Sequence, residues 1–183
     1  MAFMDNTLAF SSNWSTPQAV STATNVDSTN VVDLTGAGVG NAPAMINGFP
    51  QTNTHIGFDI GAGDGVAIPY LYVTVTTTGT SANTFQVNLE AAADNGSYSP
   101  GTYYTLYSSA AIAANTLTAG SSLIVPVPPT LFNWPYGVEK PPRFYKLNYV
   151  ASAALTISVL AGLMLNPPST LLLGQYNNNF VVV

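Results

Sequence analysis

A chain of 183 residues with three basic and eight acidic side chains, net charge −5, is long enough for one domain whose core needs no metal or disulfide. Charged residues make up only 6% of it, against about 25% in an ordinary soluble domain, while the apolar share of 47% is that of a folded protein. Three cations exclude a nucleic-acid surface, which draws its affinity from Lys and Arg displacing counterions, and the lack of cysteine excludes disulfides and thiolate metal sites.

The first five residues, Met1-Ala2-Phe3-Met4-Asp5, have neither the basic region nor the apolar run of a secretory signal. Residues 1–16 read as an arm spotted with Phe3, Leu8, Phe10 and Trp14. Strands are predicted at 19–24 and 29–34, followed by a Gly/Asn/Pro-rich excursion over 35–65. A loop of that length in a compact domain is usually functional or laid over a partner. A third strand spans 67–77, with Pro69 near its start, where a missing N–H matters little. The fourth, at 83–91, has the clearest period of two: Phe85, Val87, Leu89 and Ala91 face one way, Gln86, Asn88 and Glu90 the other.

Strands at 103–110, 121–127 and 143–150 follow, the last placing Tyr145, Leu147 and Tyr149 opposite Phe144, Lys146 and Asn148. The eighth, at 155–165, alternates Leu155, Ile157, Val159, Ala161, Leu163 and Leu165. It also fits a buried helix, but its β-branched residues and the Pro167-Pro168 stop favour a strand. The apolar run over 150–165 is too short, and too broken by Ser152, Thr156 and Ser158, to span a membrane as a helix. Turn formers such as Gly79-Thr80-Ser81, Asp94-Asn95-Gly96 and Pro100-Gly101 separate the strands. Residues 166–183 form a tail with Leu171, Leu172, Leu173, Tyr176, Phe180 and Val182, which either folds back as a last strand or adds to a neighbouring subunit. The expected fold is all-β: an antiparallel eight-stranded jelly-roll-like sandwich over 17–165, with an extended N-terminal arm, a long loop and a C-terminal tail.

Residues able to do chemistry are scarce. The lone His55 sits in a loop-like Asn53-Thr54-His55-Ile56-Gly57 with no nucleophile signature beside it. Gly36-Ala37-Gly38-Val39-Gly40 and Gly61-Ala62-Gly63-Asp64-Gly65 lack the helix that a phosphate loop needs behind it, so they read as turns. Asp59 and Asp64 have no third carboxylate nearby for calcium, and Glu90 with Glu139 is supported as a glycosidase pair only by the existence of both. Tyr98, Tyr103, Tyr104, Tyr107 and Trp134 fill a core or an interface, or stack on sugars. No catalytic, cofactor-binding or metal-binding residue is assigned. The cations Lys140, Arg143 and Lys146 lie within seven positions, either on a solvated strand edge or facing an acidic patch on a partner.

The chain also resembles a known family. The carriers are Asp59-Ile60-Gly61-Ala62-Gly63-Asp64-Gly65 leading into Tyr70-Leu71-Tyr72-Val73-Thr74-Val75-Thr76-Thr77, then Phe85-Gln86-Val87-Asn88-Leu89 and Ala93-Asp94-Asn95-Gly96-Ser97-Tyr98. After them come Ala111-Ile112-Ala113, Leu123-Ile124-Val125-Pro126-Val127-Pro128-Pro129 and Arg143-Phe144-Tyr145-Lys146-Leu147-Asn148-Tyr149. In order and spacing these are similar to the capsid cement proteins of tailed phages typified by the Bbp16-like family, over roughly residues 17–34 and 59–165. The chain departs from that pattern in its 35–58 excursion, its Pro-rich segment over 131–142 and its tail after Pro167.

The resemblance implies a jelly roll on the outside of an icosahedral head that bridges major capsid subunits. The expectation is therefore a non-enzymatic virion protein, made in the host cytoplasm and placed on the outer capsid surface, without cofactor, nucleic acid or membrane. Its partners are the major capsid protein and its own copies, as trimers rather than dimers. Partner contacts are expected at Phe3, Phe10, Trp14, Lys140, Arg143, Leu172, Tyr176, Phe180 and Val182. The alternative is a receptor- or carbohydrate-binding β-sandwich of a phage tail or fibre.

Overall fold

The computed structural model describes residues 8–20, 25–33, 45–46, 49–50, 70–97, 99–127 and 142–164. Its strands are β1 (Gln18–Val20), β2 (Asn25–Asp27), β3 (Val32–Asp33), β4 (Met45–Ile46), β5 (Phe49–Pro50), β6 (Tyr70–Thr77) and β7 (Thr84–Ala93). There follow β8 (Tyr104–Ser108), β9 (Ile112–Ala113), β10 (Ser122–Pro126), β11 (Pro142–Ala151) and β12 (Ile157–Met164). Among the described residues helical structure is limited to 3₁₀ turns such as Ala114–Thr116. None is a helix long and apolar enough to cross a membrane.

One sheet has the order β1-β12-β6-β10; the other has β2-β11-β7-β8, with β3 also on β11 and β9 also on β7. Every pairing is antiparallel. The pairs nest: β1 with β12, β2 with β11, β6 with β10, β7 with β8. Such nesting is what one long hairpin, doubled and rolled up, produces, and it defines a jelly roll. β4 and β5 form a separate two-stranded ribbon within the 35–65 excursion.

Alternation builds the core. Leu71, Val73 and Val75 of β6 and Ile157, Val159, Ala161 and Leu163 of β12 are buried from one sheet. Phe85, Val87, Leu89 and Ala91 of β7 meet them from the other, beside Tyr145, Leu147 and Tyr149 of β11. Large side chains stand against small ones in the register, Tyr145 opposite Ala91 and Tyr149 opposite Val87. Phe85 and Tyr149 stack with ring centroids 6.0 Å apart. Burial also pushes the Tyr145 and Tyr149 phenols above their ordinary range, so both stay neutral. At the end of β7, Asp94 accepts the Gly96 N–H at 2.7 Å and Asn95 accepts the Ser97 N–H at 2.8 Å. Gly96 takes φ +94°, a conformation that glycine adopts without a Cβ clash.

The N-terminal segment departs from expectation. Ala9 bridges Gly162, and the Phe10 N–H donates to the Ala161 carbonyl at 2.8 Å, so the segment continues the β1 edge along β12. The Phe10 carbonyl accepts the Asn30 N–H at 2.9 Å, and the Asn30 side chain donates to the Ala9 and Ser11 carbonyls. Phe10 is 0% exposed and Leu8 belongs to the same core. From residue 8 onward this is part of the sandwich, because its apolar side chains find their burial inside the chain itself.

Candidate functional site

Strand β11 runs through the middle of its sheet, between β2 and β3 on one side and β7 on the other. It carries both cations of the described residues, Arg143 and Lys146. A bulge between Pro142 and Phe144 turns Arg143 toward the end of the sheet. There its guanidinium grips Asp33 in a fork, Nε to Oδ1 at 2.8 Å and Nη2 to Oδ2 at 2.9 Å, while Nη1 pairs with Asp94. It also lies 4.7 Å from the centre of the Phe144 ring. Its hydrogen bonds to Asp33, working against burial, raise its pKa further and keep it charged. At 7% exposure Arg143 is a clasp between β3, β11 and the end of β7, and not the partner contact expected of it.

Lys146 belongs to a second cluster on the outer face of the same sheet. Its Nζ donates to Asp27 at 2.7 Å, lies 3.4 Å from Glu90 and sits 4.3 Å above the Tyr103 ring. Asn148 donates to the other oxygen of Asp27 at 2.9 Å. Partial burial alone raises the Asp27 pKa, but hydrogen bonds from Lys146 and Asn148 and the Lys146 charge outweigh it and hold the carboxyl below 3.8. Burial, with Asp27 and Glu90 nearby, pushes the Tyr103 phenol up to about 12. The expected solvated edge is thus an ion-paired network on a central strand, with Lys146 between Asp27 and Glu90.

The sign of the Asp27 shift sets a pH dependence. A carboxyl with a depressed folded-state pKa stabilises the fold above its unfolded value and loses that contribution as pH falls through the folded one. Thermal stability is expected to drop below about pH 4, and Asp27→Asn should flatten part of that acid limb in a melting series from pH 7 to pH 2. An acid limb of the same shape in both proteins contradicts the pairing.

These clusters take up every charged side chain of the described residues: Asp27, Asp33, Glu90, Asp94, Arg143 and Lys146. All belong to one sheet. The opposite sheet, β1-β12-β6-β10, carries no charged side chain. Its outer face presents Tyr72, Thr74 and Thr76 of β6, Ser122 and Ile124 of β10, and Leu160 of β12, all at least partly exposed. Trp14 folds across this face, its ring 6.3 Å from that of Tyr72. Gly162 makes room for it, since a Cβ there would strike the Trp14 ring and come within 2.8 Å of the Leu8 carbonyl. Among the described residues, one sheet is therefore ion-paired and the other uncharged.

The Bbp16 family model matches residues 14–157, a continuous stretch over most of the chain. The chain belongs to the Bbp16 family. This is a phage-type family, and the matched stretch runs from Trp14 through both sheets to the start of β12. No curated protein matches the chain.

Of the contacts expected from the sequence, Phe10 lies in the core of this chain and Arg143 in its clasp, while Trp14 stands on the uncharged face. Phe3, Lys140, Leu172, Tyr176, Phe180 and Val182 lie outside the described residues, as do His55, Asp59, Asp64, Tyr98, Trp134 and Glu139. Tyr104 and Tyr107 pack against the core, and Lys146 occupies a face of Tyr103. Among the described residues no three His, Cys, Asp or Glu side chains gather as metal ligands. The four carboxylates of the clusters went unread in the sequence because their partners lie 49 to 119 positions away along the chain. Glu90 alone carried a signal: it sits on the polar side of its strand, and the register places it directly opposite Lys146.

Proposed function

We propose that this Bbp16-family chain is a structural, non-enzymatic virion protein that cements the head of a tailed phage. It docks on the outer surface and bridges neighbouring major capsid subunits. The observation that carries the reading is the uncharged outer face of the β1-β12-β6-β10 sheet, with Trp14 and Tyr72 upon it. Charged groups are costly to strip of water unless paired, and those of the described residues are paired within the chain on the other sheet. A face of Tyr, Trp, Leu, Ile and Thr is suited to burial against another protein, since aromatic residues are enriched and charges depleted at interface centres. The family's phage type favours a virion as the setting.

The mechanism is mechanical. At roughly 25 cal/mol per Å² of apolar surface, an interface of standard size contributes several kcal/mol after ordering costs. A copy that touches two shell subunits, or other copies in a trimer, multiplies this, because no subunit leaves without breaking several contacts. Contacts without charge are nearly indifferent to screening. Occupancy on purified heads, measured by gel densitometry after washing, should therefore stay within about twofold between roughly 50 mM and 1 M salt. Release at high salt contradicts an uncharged interface.

A further inference from the structure

The turn that follows β7 carries a chemically labile pair, Asn95-Gly96, exposed at its tip. The base of the turn is closed: Asp94 bridges Pro100, the Gly101 N–H donates to the Ala93 carbonyl at 2.8 Å, and the Asn95 N–H donates to the Ser99 carbonyl at 3.0 Å. An asparagine amide is thermolabile because the backbone nitrogen of the next residue can attack its Cγ. Glycine in that place leaves the nitrogen unshielded, and a Cβ built on Gly96 would meet nothing within 4 Å. Among the described residues no other asparagine precedes a glycine.

The hydrogen bonds of this turn fall on the atoms that such a reaction changes. Asp94 Oδ1 accepts the Gly96 N–H at 2.7 Å, the reach of a general base for that proton. The Ser97 N–H donates to Asn95 Oδ1 at 2.8 Å, where negative charge gathers as the amide is attacked. Nucleophile and amide sit on adjacent residues of one fixed turn, so the attack is intramolecular. We infer that Asn95 is a self-modifying site, which deamidates through a cyclic imide at Asn95-Gly96 and thereby loosens the Arg143 clasp. The Gly96 nitrogen gives up its proton and bonds to Asn95 Cγ. The bond from Cγ to Nδ2 breaks, and Nδ2 leaves as ammonia with that proton. Water then opens the imide, its hydroxyl going to either carbonyl and its hydrogen to the nitrogen. The product is an aspartate in the normal linkage or in one that lengthens the main chain by a methylene group.

Asp94 couples this chemistry to the fold. Its Oδ2 pairs with Arg143 while its Oδ1 holds the Gly96 N–H, so the turn positions one carboxylate of the clasp. Either product adds a like charge beside Asp94. The longer linkage also moves the Gly96 N–H away from Oδ1. Both changes work against the contact that ties the end of β7 to β3 and β11. This assignment stands apart from the cement reading, since it concerns the chain alone.

The test ages the full chain at neutral pH below its melting temperature and follows residue 95 by peptide mass mapping. A synthetic peptide of residues 92–100 is aged beside it. The inference expects residue 95 of the folded chain to convert at least as fast as in the peptide. It should also convert roughly tenfold faster than any other asparagine of the described residues. The aged chain should melt about 2–4 °C below the fresh one, and an Asn95→Gln chain aged alike should not. Asn95 is exposed, so that replacement spares the core. Slower conversion in the folded chain than in the peptide overturns the site. A melting temperature unchanged after conversion overturns its hold on the clasp.

Discussion

Replacing Arg143 by alanine is expected to destabilise the isolated chain by about 3–5 kcal/mol, the usual cost of stripping one partner from a buried ion pair. The guanidinium is 7% exposed and holds Asp33 by two bonds and Asp94 by a third. Without it two carboxylates at the end of the sheet lose their counter-charge, and β3, β11 and the end of β7 lose the group that ties them together. For a domain of this size that corresponds to a fall of the order of 10 °C in melting temperature. Arg143→Lys should recover only part of the loss, because an ammonium cannot reproduce the planar fork. Arg143→Met combined with Asp33→Asn and Asp94→Asn should recover more, since no charge is then left unpaired. A loss below about 1 kcal/mol for Arg143→Ala, with weakened head binding instead, would return Arg143 to the role of an exposed partner contact.

Phe10→Ala carries an expected cost of similar size, about 3–5 kcal/mol, because a large ring is removed from a fully buried place. The prediction discriminates sharply. A free arm folded onto a partner would leave the stability of the isolated chain untouched by this change. An edge segment bonded to Ala161 and Asn30 and packed in the core does not. Denaturant melts of the isolated chain measure the difference directly, and a midpoint equal to that of the parent rejects the integral role of residues 8–11.

Why the long strands were legible in the sequence is physical. Each of β6, β7, β11 and β12 buries one face and wets or partly wets the other, so period-two alternation is written into its residues. Their predicted limits of 67–77, 83–91, 143–150 and 155–165 fall within three residues of the observed ones. The all-β sandwich is legible from strand number and turn spacing, but β2 (Asn25–Asp27) falls between the predicted strands at 19–24 and 29–34, and the second of these matches only the short β3 (Val32–Asp33). The two-residue β9 was missed because a pair such as Ile112–Ala113 is too short to show a period.

In sequence, Leu8, Phe10 and Trp14 look alike whether they cover a partner or their own sheet. The residue that carried the answer was Gly162, in the middle of an otherwise bulky strand, where a glycine marks the close approach of something else. The charge clusters were illegible for a different reason. Arg143 lies 110 positions from Asp33 along the chain, and only the nesting of β3 against β11 brings them together. The uncharged face was equally hidden: a low charge content says that little charge exists, not that all the described charge lies on one of two sheets.

A cryo-EM reconstruction of the phage head is the most direct measurement of the central claim, that this jelly roll works by being docked on other polypeptides. The claim predicts density for two packed sheets on the outer surface, each copy touching at least two shell subunits, with the β1-β12-β6-β10 face buried in a contact. A head surface bare of such density, in virions that do not contain the chain, contradicts it.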